Sequence, residues 1–316
     1  MTSDQPVISI ITPCLNAAAF VAEMIESVRS QSGPDVEHII VDGGSSDGTR
    51  DILAGFPHLR IVEGTDKGSH DAMNRGLALA RGKIVGFINT DDCYAPRLLS
   101  AVVERFAAAP AIEALIGRSY VVARRGSAWR TVVQHPLCRA GGFDLGDLMY
   151  GVPCFNARFY RKSVFGRSGN FALQFSFAAD RDFLLRLALA GCEGGVLDRP
   201  CYFYRSHDGS RTLNFGRTNT DAITREHIAI ASALLAKDID PAARRALNGW
   251  RAYETLRARL SEPHVATGTV PIGHLMRGVA GKLRTVVHCR QANLRRDIAS
   301  KGVQEPFAPA MARGQS

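Results

Sequence analysis

Between Val7 and Phe106 the chain alternates between short apolar, β-branched runs and segments of helical period, and this alternation constrains its architecture more than any other feature. The runs are Val7–Thr12, Glu37–Val41, Leu59–Val62 and Ile84–Ile88. Short, nearly continuous apolar runs of this kind read as strands buried on both faces. Between them, Ala17–Gln31 has a helical pattern, and Ser46 and Asp47 can cap a helix running to Gly55. His70–Arg81 sets Ala72, Met73, Leu77 and Ala80 on one side with Gly82 as its stop, and a further helix begins near Pro96, a residue suited to a first turn. Strand–helix repetition predicts an α/β fold: a mostly parallel central sheet with flanking helices on both faces. Ligands of such sheets sit beyond the carboxyl ends of the strands.

The polar residues sort by that rule. Thr12, Pro13 and Asn16 follow the first strand, and Asp42-Gly-Gly-Ser-Ser-Asp-Gly48 follows the second. Asp66, Lys67 and Gly68 follow the third, and Asn89-Thr-Asp-Asp92 the fourth. Taken singly, each loop has an ordinary reading as turn, helix cap or surface ion pair; four loops on one rim point to a ligand site. Adjacent carboxylates at a buried strand end, as at Asp91 and Asp92, are costly unless they meet a cation or hydrogen-bond donors. A small set of hard oxygen ligands suits Mg2+ or Mn2+ shared with a phosphate. Lys67 can meet a diphosphate as a point charge. The Asp42 loop is not a calcium loop, since Asp47 stands where that loop needs glycine, and it lacks the Gly-Lys-Ser/Thr of a Walker loop.

Further along, Leu115–Ala123 and Trp129–Gln134 read as a hairpin turning at Arg124–Ser127. Ala179–Ala190 is an amphipathic helix, Cys201–Arg205 a strand, and the pattern from Asp221 onward is helical with a break around Glu262–Pro271. The organisation expected is 1–215 as catalytic domain, with halves 1–110 and 111–215, and 216–316 as a helical, basic extension. Residues 135–180 have no decodable pattern, and Met149–Phe159 is expected to line an acceptor.

The net charge of +9 is confined to the last quarter: residues 1–240 hold 26 Lys/Arg and 26 Asp/Glu, residues 241–316 hold 13 and 4. Leu275–Ile298 carries apolar residues at Met276, Val279, Leu283, Val286, Leu294 and Ile298 among six basic ones. This predicts either a peripheral contact with an anionic inner-membrane surface or a packed helix with a basic outer face. The tail lacks the interleaved aromatics of a nucleic-acid surface, so no nucleic-acid partner is expected. Seven scattered cysteines without a Cys-x-x-Cys pair read as reduced packing residues. No run is long enough to span a membrane and no signal-peptide order opens the chain, so a cytoplasmic location is expected.

Six stretches together resemble family 2 glycosyltransferases, whose fold is the nucleotide-diphospho-sugar transferase (GT-A) fold. They are Ser9–Asn16, Ile39–Thr49, Asp66–Gly76, Phe87–Asp92, Ala179–Leu187 and Tyr204–His207. The similarity is strongest to the bacterial branch that builds exopolysaccharide, capsule or lipopolysaccharide. It implies an inverting, metal-dependent transfer of a sugar from a nucleotide-diphosphate donor, a UDP-sugar first of all, to the hydroxyl of a glycan or lipid-linked acceptor. By position it implies that Asp42 contacts the nucleotide base, with Thr12 and Asn16 lining that pocket. Asp91 matches the second acid of the family's Asp-x-Asp motif and would bind the metal, with His207 beside the metal or diphosphate. Asp180 matches the catalytic base. Asn89 departs from the pattern, standing where many members carry the first acid, and Ala179 stands where many have Glu. Those two departures motivate the alternative, an inactive nucleotide-sugar-binding subunit of a polysaccharide assembly complex.

Overall fold

The computed structural model describes residues 5–126, 128–135, 137, 140–207 and 220–261. The first half builds β1 (Ile8–Cys14), α1 (Val21–Arg29), β2 (Val36–Asp42), α2 (Thr49–Ala54), β3 (Leu59–Glu63), α3 (Ser69–Leu79), β4 (Ile84–Phe87), the two-residue β5 (Cys93–Tyr94) and α4 (Leu98–Ala108). There follow β6 (Ala114–Arg125), β7 (Ala128–His135), α5 (Leu145–Tyr150), β8 (Arg158–Arg161), α6 (Ser163–Ser168), α7 (Ala179–Leu189), β9 (Gly194–Ser206), α8 (Thr220–Leu235) and α9 (Pro241–Ser261).

Nine strands form one sheet in the order β3-β2-β1-β4-β8-β6-β9-β5, with β7 paired to β6. β1 pairs in parallel with β2 and β4, and β2 with β3. β8 is antiparallel to both β4 and β6, so β6 runs with β4, and β9 is parallel to β6. The carboxyl ends of β1–β4, β6 and β9 therefore share one rim.

The central strands β1, β2 and β4 are mostly apolar because both of their faces are covered. Ile11, Ile39, Val41, Val85 and Phe87 point into one hydrophobic cluster, which they share with residues of α3, α7, α8 and α9. Their alternating neighbours Ile8, Ile10, Ile40 and Ile84 point into the other, under α1 and α4. The period-2 alternation thus assigns these strand residues to one layer or the other. The parallel half of the sheet and its helices match the sequence expectation, each to within a few residues except α1, which is shorter than the 17–31 pattern.

Three features matter for function. The patternless stretch contains β8, with α5 and α6 beside it, and Cys154–Phe159 is buried, so most of Met149–Phe159 packs in the interior. Within that stretch Tyr150 and Val152 are exposed, at 37% and 55%. Next, Ile230, Ala231, Leu234, Leu247 and Trp250 lie in the same cluster as Phe183 and Leu187. The helices α8 and α9, which open the expected C-terminal extension, thus share a core with α7. Lastly, Asp92 is not a helix cap, since α4 begins six residues later with Arg97 at its cap position. The basic segment 275–298 and the break at 262–271 lie outside the described residues. Cys14, Cys93, Cys154, Cys192 and Cys201 are buried thiols.

Candidate active site

The loops after β1 and β2 are laced together. Asn16, at φ +49°, accepts from the Ser46 amide through Oδ1 (2.9 Å) and donates its own amide to Ser45 Oγ (2.8 Å). Ala17 donates to Thr49 Oγ1 (2.8 Å) and Ala18 to Asp47 Oδ2 (3.0 Å). Asp47, in the region expected to cap α2, also accepts from the amide and hydroxyl of Thr49. These bonds hold the tip of β1 against the glycine-rich loop of β2.

Asp42 organises that loop from below. Its carboxylate is fully buried and accepts from the Ser45 amide and hydroxyl and from Arg50 Nε at 2.9 Å. Burial alone would push its carboxyl up, but the hydrogen bonds from Ser45 and Arg50 outweigh this and keep it below the usual carboxylate range. A ligand group reaching Asp42 must therefore displace Arg50, whose side chain is 48% exposed. Thr12 requires a correction: its side chain is buried beneath α1, with its hydroxyl 3.8 Å from Met24 Sδ and 3.0 Å from His38 Nε2. The Thr12 side chain lines no rim pocket, because the strand alternation turns it into the helix-covered layer. Pro13, next in the strand, is half-buried and faces the other way.

Asp66 leans over the β2 loop. A Cβ built on Gly43 would meet Asp66 Oδ2 at 2.6 Å, so glycine is what lets this carboxylate close on the loop. Asp66 also accepts from the Gly68 amide at 2.8 Å, while Lys67 is exposed and its amide donates to Asp71.

At the β4 end the two adjacent acids have different surroundings. Asp92 is 3% exposed and accepts from Tyr202 Oη (2.7 Å), the Arg205 amide (2.9 Å) and Asn89 Nδ2 (3.2 Å). Burial, and next the charge of Asp91, push its carboxyl up to about 8 despite those donors. Asp92 thus ties the β4 end to β9, and Asn89, in place of an acid, supplies one of its donors. Asp91 turns the other way and meets His207 Nε2 at 3.0 Å, with side chains 32% and 22% exposed. The His207 ring lies 4.6 Å from that of Phe20, and the Arg205 guanidinium, 4.9 Å from the same ring, donates to the Asp91 carbonyl. Arg205 also pairs with Glu23 of α1.

The Asp91–His207 pair suits a divalent cation. One carboxylate and one imidazole converge from segments just past β4 and β9, both partly exposed, and among the described residues no third His, Cys, Asp or Glu joins them. A two-ligand, open-sided set of this kind leaves coordination positions for phosphate oxygens and water.

Asp180 lies at the start of α7. Because α7 leads into β9 and β9 ends at the rim, the amino end of α7 lies at the same rim. Burial raises the phenol of Tyr204, in β9, and Cys154, Asp92 and Asp180 add to the effect. Asp180 is half-buried and accepts from the Arg181 amide at 2.7 Å. Asp182, two residues on, is buried and held by Arg186 Nε at 2.9 Å, which occupies it structurally. Arg181 points back to the carbonyls of Leu148, Met149 and Gly151, fixing the segment that carries Tyr150 and Val152 to the first turn of α7. Sequence reading missed Arg205, Tyr202 and Arg181; in the sequence they look like ordinary strand and helix residues.

The family model described as Glycosyl transferase family 2 matches residues 9–169, half of the chain. A PGL/p-HBAD biosynthesis glycosyltransferase of Mycobacterium bovis is 34% identical over 187 residues, covering 57% of this chain and 69% of that protein. Among solved structures, Staphylococcus aureus TarS 1-349 in complex with UDP-GlcNAc superposes with a TM-score of 0.62 at 17% identity, over 88% of this chain and 81% of that one. The mannosyltransferase PcManGT of Pyrobaculum calidifontis, in complex with GDP-Man and Mn2+, gives 0.52 at 19% identity, over 94% and 87%. At these identities the structures bear on fold, which agrees with the GT-A arrangement described above. On the family match and the mycobacterial relative, the chain belongs to glycosyl transferase family 2.

Proposed function

We propose that this glycosyltransferase moves a sugar, with inversion, from a nucleotide-diphosphate sugar to a hydroxyl acceptor during assembly of a cell-surface glycan. The observation that carries the reading is the Asp91–His207 pair, facing a rim that also holds Asp42, Asp66 and Asp180. The nucleotide base would lie against Pro13 and Asn16, with Asp42 accepting from it once Arg50 swings out. Asp66 and Lys67 would flank the ribose and diphosphate, and Asn89 would contact the sugar–ribose region while bracing Asp92. Asp91 and His207 would hold Mg2+ or Mn2+, which when bound stabilises negative charge on the diphosphate leaving group. Asp180 would take the proton of the incoming hydroxyl as the bond to the anomeric carbon forms and that to the diphosphate breaks. The exposed Tyr150 and Val152 offer an apolar flank for the acceptor beside that base.

The bound nucleotides named for TarS and PcManGT, and the biosynthetic role named for the mycobacterial relative, support the donor class and the pathway class. The test is nucleoside diphosphate release from UDP-GlcNAc, UDP-glucose, UDP-galactose and GDP-mannose with Mn2+, using wild type and Asp180→Asn. Turnover of a UDP-sugar by wild type alone is the expected result. Binding of a nucleotide sugar without turnover would favour the inactive-subunit alternative.

No helix among the described residues is long and apolar enough to cross a membrane. A cytoplasmic site of action, with the 275–298 segment meeting the membrane face, remains part of the proposal. Liposome flotation of the chain ending at Pro271 tests it; undiminished binding would remove this segment from consideration.

A further inference from the structure

α7 has no cap of its own. Ala178 occupies its cap position and no side chain there bonds to the helix. The amides leading into it are instead met by Glu226 of α8. Glu226 Oε1 accepts from the Ser176 amide at 2.8 Å, and Oε2 accepts from the amides of Phe177 (2.9 Å) and Ala178 (2.8 Å). One carboxylate thus grips three consecutive amides that end two residues before Asp180. A charged acceptor on backbone donors at a helix amino end makes strong, directional bonds. Arg181 supplies the opposite grip, on the carbonyls of Leu148, Met149 and Gly151. Asp180 therefore sits between two anchors, neither of which lies within the residues 9–169 that carry the family match.

We infer that Glu226 is a positioning residue for transfer: it sets the entry angle of α7 and hence the direction in which Asp180 meets the acceptor hydroxyl. The inference rests on the proposed role of Asp180. Its physical basis is that a side chain on an unclamped first turn samples a wider range of directions, and misplacement of a base by a fraction of an ångström costs rate rather than affinity. It also gives the α8–α9 pair a part in catalysis. α8 is held to α9 through a buried His227–Glu254 contact of 2.9 Å and is rooted in the same cluster as α7, so it is a firm base for the clamp.

The experiment uses the full chain and the donor that wild type turns over. Glu226→Gln loses one accepting oxygen, so at most part of the three-amide grip survives; Glu226→Asp keeps the charge on a shorter reach. The expected result is a kcat about tenfold lower for Glu226→Gln with donor KM within twofold, and partial rescue by Glu226→Asp. Hydrogen exchange adds a readout that needs no substrate: the amides of 176–178 should exchange at least tenfold faster in Glu226→Gln. A melting temperature lowered with kcat unchanged would reduce Glu226 to a purely structural residue, and unchanged protection at 176–178 would remove the clamp itself. If wild type turns over no donor, the transfer reading fails, while hydrogen exchange still decides the clamp.

Discussion

The imidazole of His207 lies 3.0 Å from the carboxylate of Asp91, 116 positions earlier in the chain. Parallel pairing of β9 with β6, and of β4 with β1, delivers both to one rim. On the proposed reading the two together would hold a divalent ion and leave its remaining positions to a diphosphate. Asp91→Asn is expected to lower kcat at least a hundredfold and His207→Ala about tenfold. In His207→Ala the Mn2+ concentration for half-maximal rate should rise. A rate independent of added metal in wild type and variants would refute the cation role.

Asp180→Asn keeps the shape of the side chain and removes its basicity. Loss of a general base of this kind costs about 10²–10⁴ in rate. Donor KM and melting temperature should stay close to wild type, since the Arg181 amide still finds an oxygen to bond. Steady-state kinetics against acceptor and donor separately distinguish this from a binding defect.

Asp92 should behave as a structural acid. Asp92→Ala removes the buried acceptor that the Tyr202 hydroxyl and the Arg205 amide share. A cost of about 1–3 kcal/mol is expected for a buried donor left unpaired, read as a lower urea midpoint. Asp92→Asn retains an accepting oxygen and should cost less. Asp91→Asn should be nearly neutral in the same assay, which separates the two neighbours by role.

Gly43→Ala tests the closure of Asp66 on the β2 loop. The added Cβ would stand 2.6 Å from Asp66 Oδ2 and force that carboxylate away. Donor KM should rise several-fold with little change in melting temperature. An unaltered KM would mean that Asp66 has no part in donor binding.

Acid should weaken the fold through His38. Burial pushes its imidazole down to about 3, with the nearby His58 adding to the effect, against an ordinary value of 6.5. Between those values the unfolded chain binds the proton and the folded chain does not. This stability is fully present above pH 6.5 and is lost as pH falls toward 3, by up to about 1.4 kcal/mol per pH unit. Asp92, raised rather than lowered, acts in the opposite sense, losing stability as pH climbs toward 8. The difference between wild type and His38→Leu isolates the histidine: its slope should vanish above pH 6.5.

Local pattern determined a good deal on its own. The alternation of apolar runs with helical segments gave the parallel sheet, and the polar loops at strand ends gave the rim. Those features are local, because a strand's period and a loop's composition are set by neighbours a few residues away. What the tertiary structure decided is long-range pairing, where side chains meet by the path of the chain rather than by spacing. Asp92 became a buried tie to Tyr202, and Thr12 was turned under α1. His207 was brought to Asp91, and Glu226 to the entrance of α7. Burial, not residue type, separated Asp91 from Asp92, and burial is a property of the folded sheet that no ten-residue window contains.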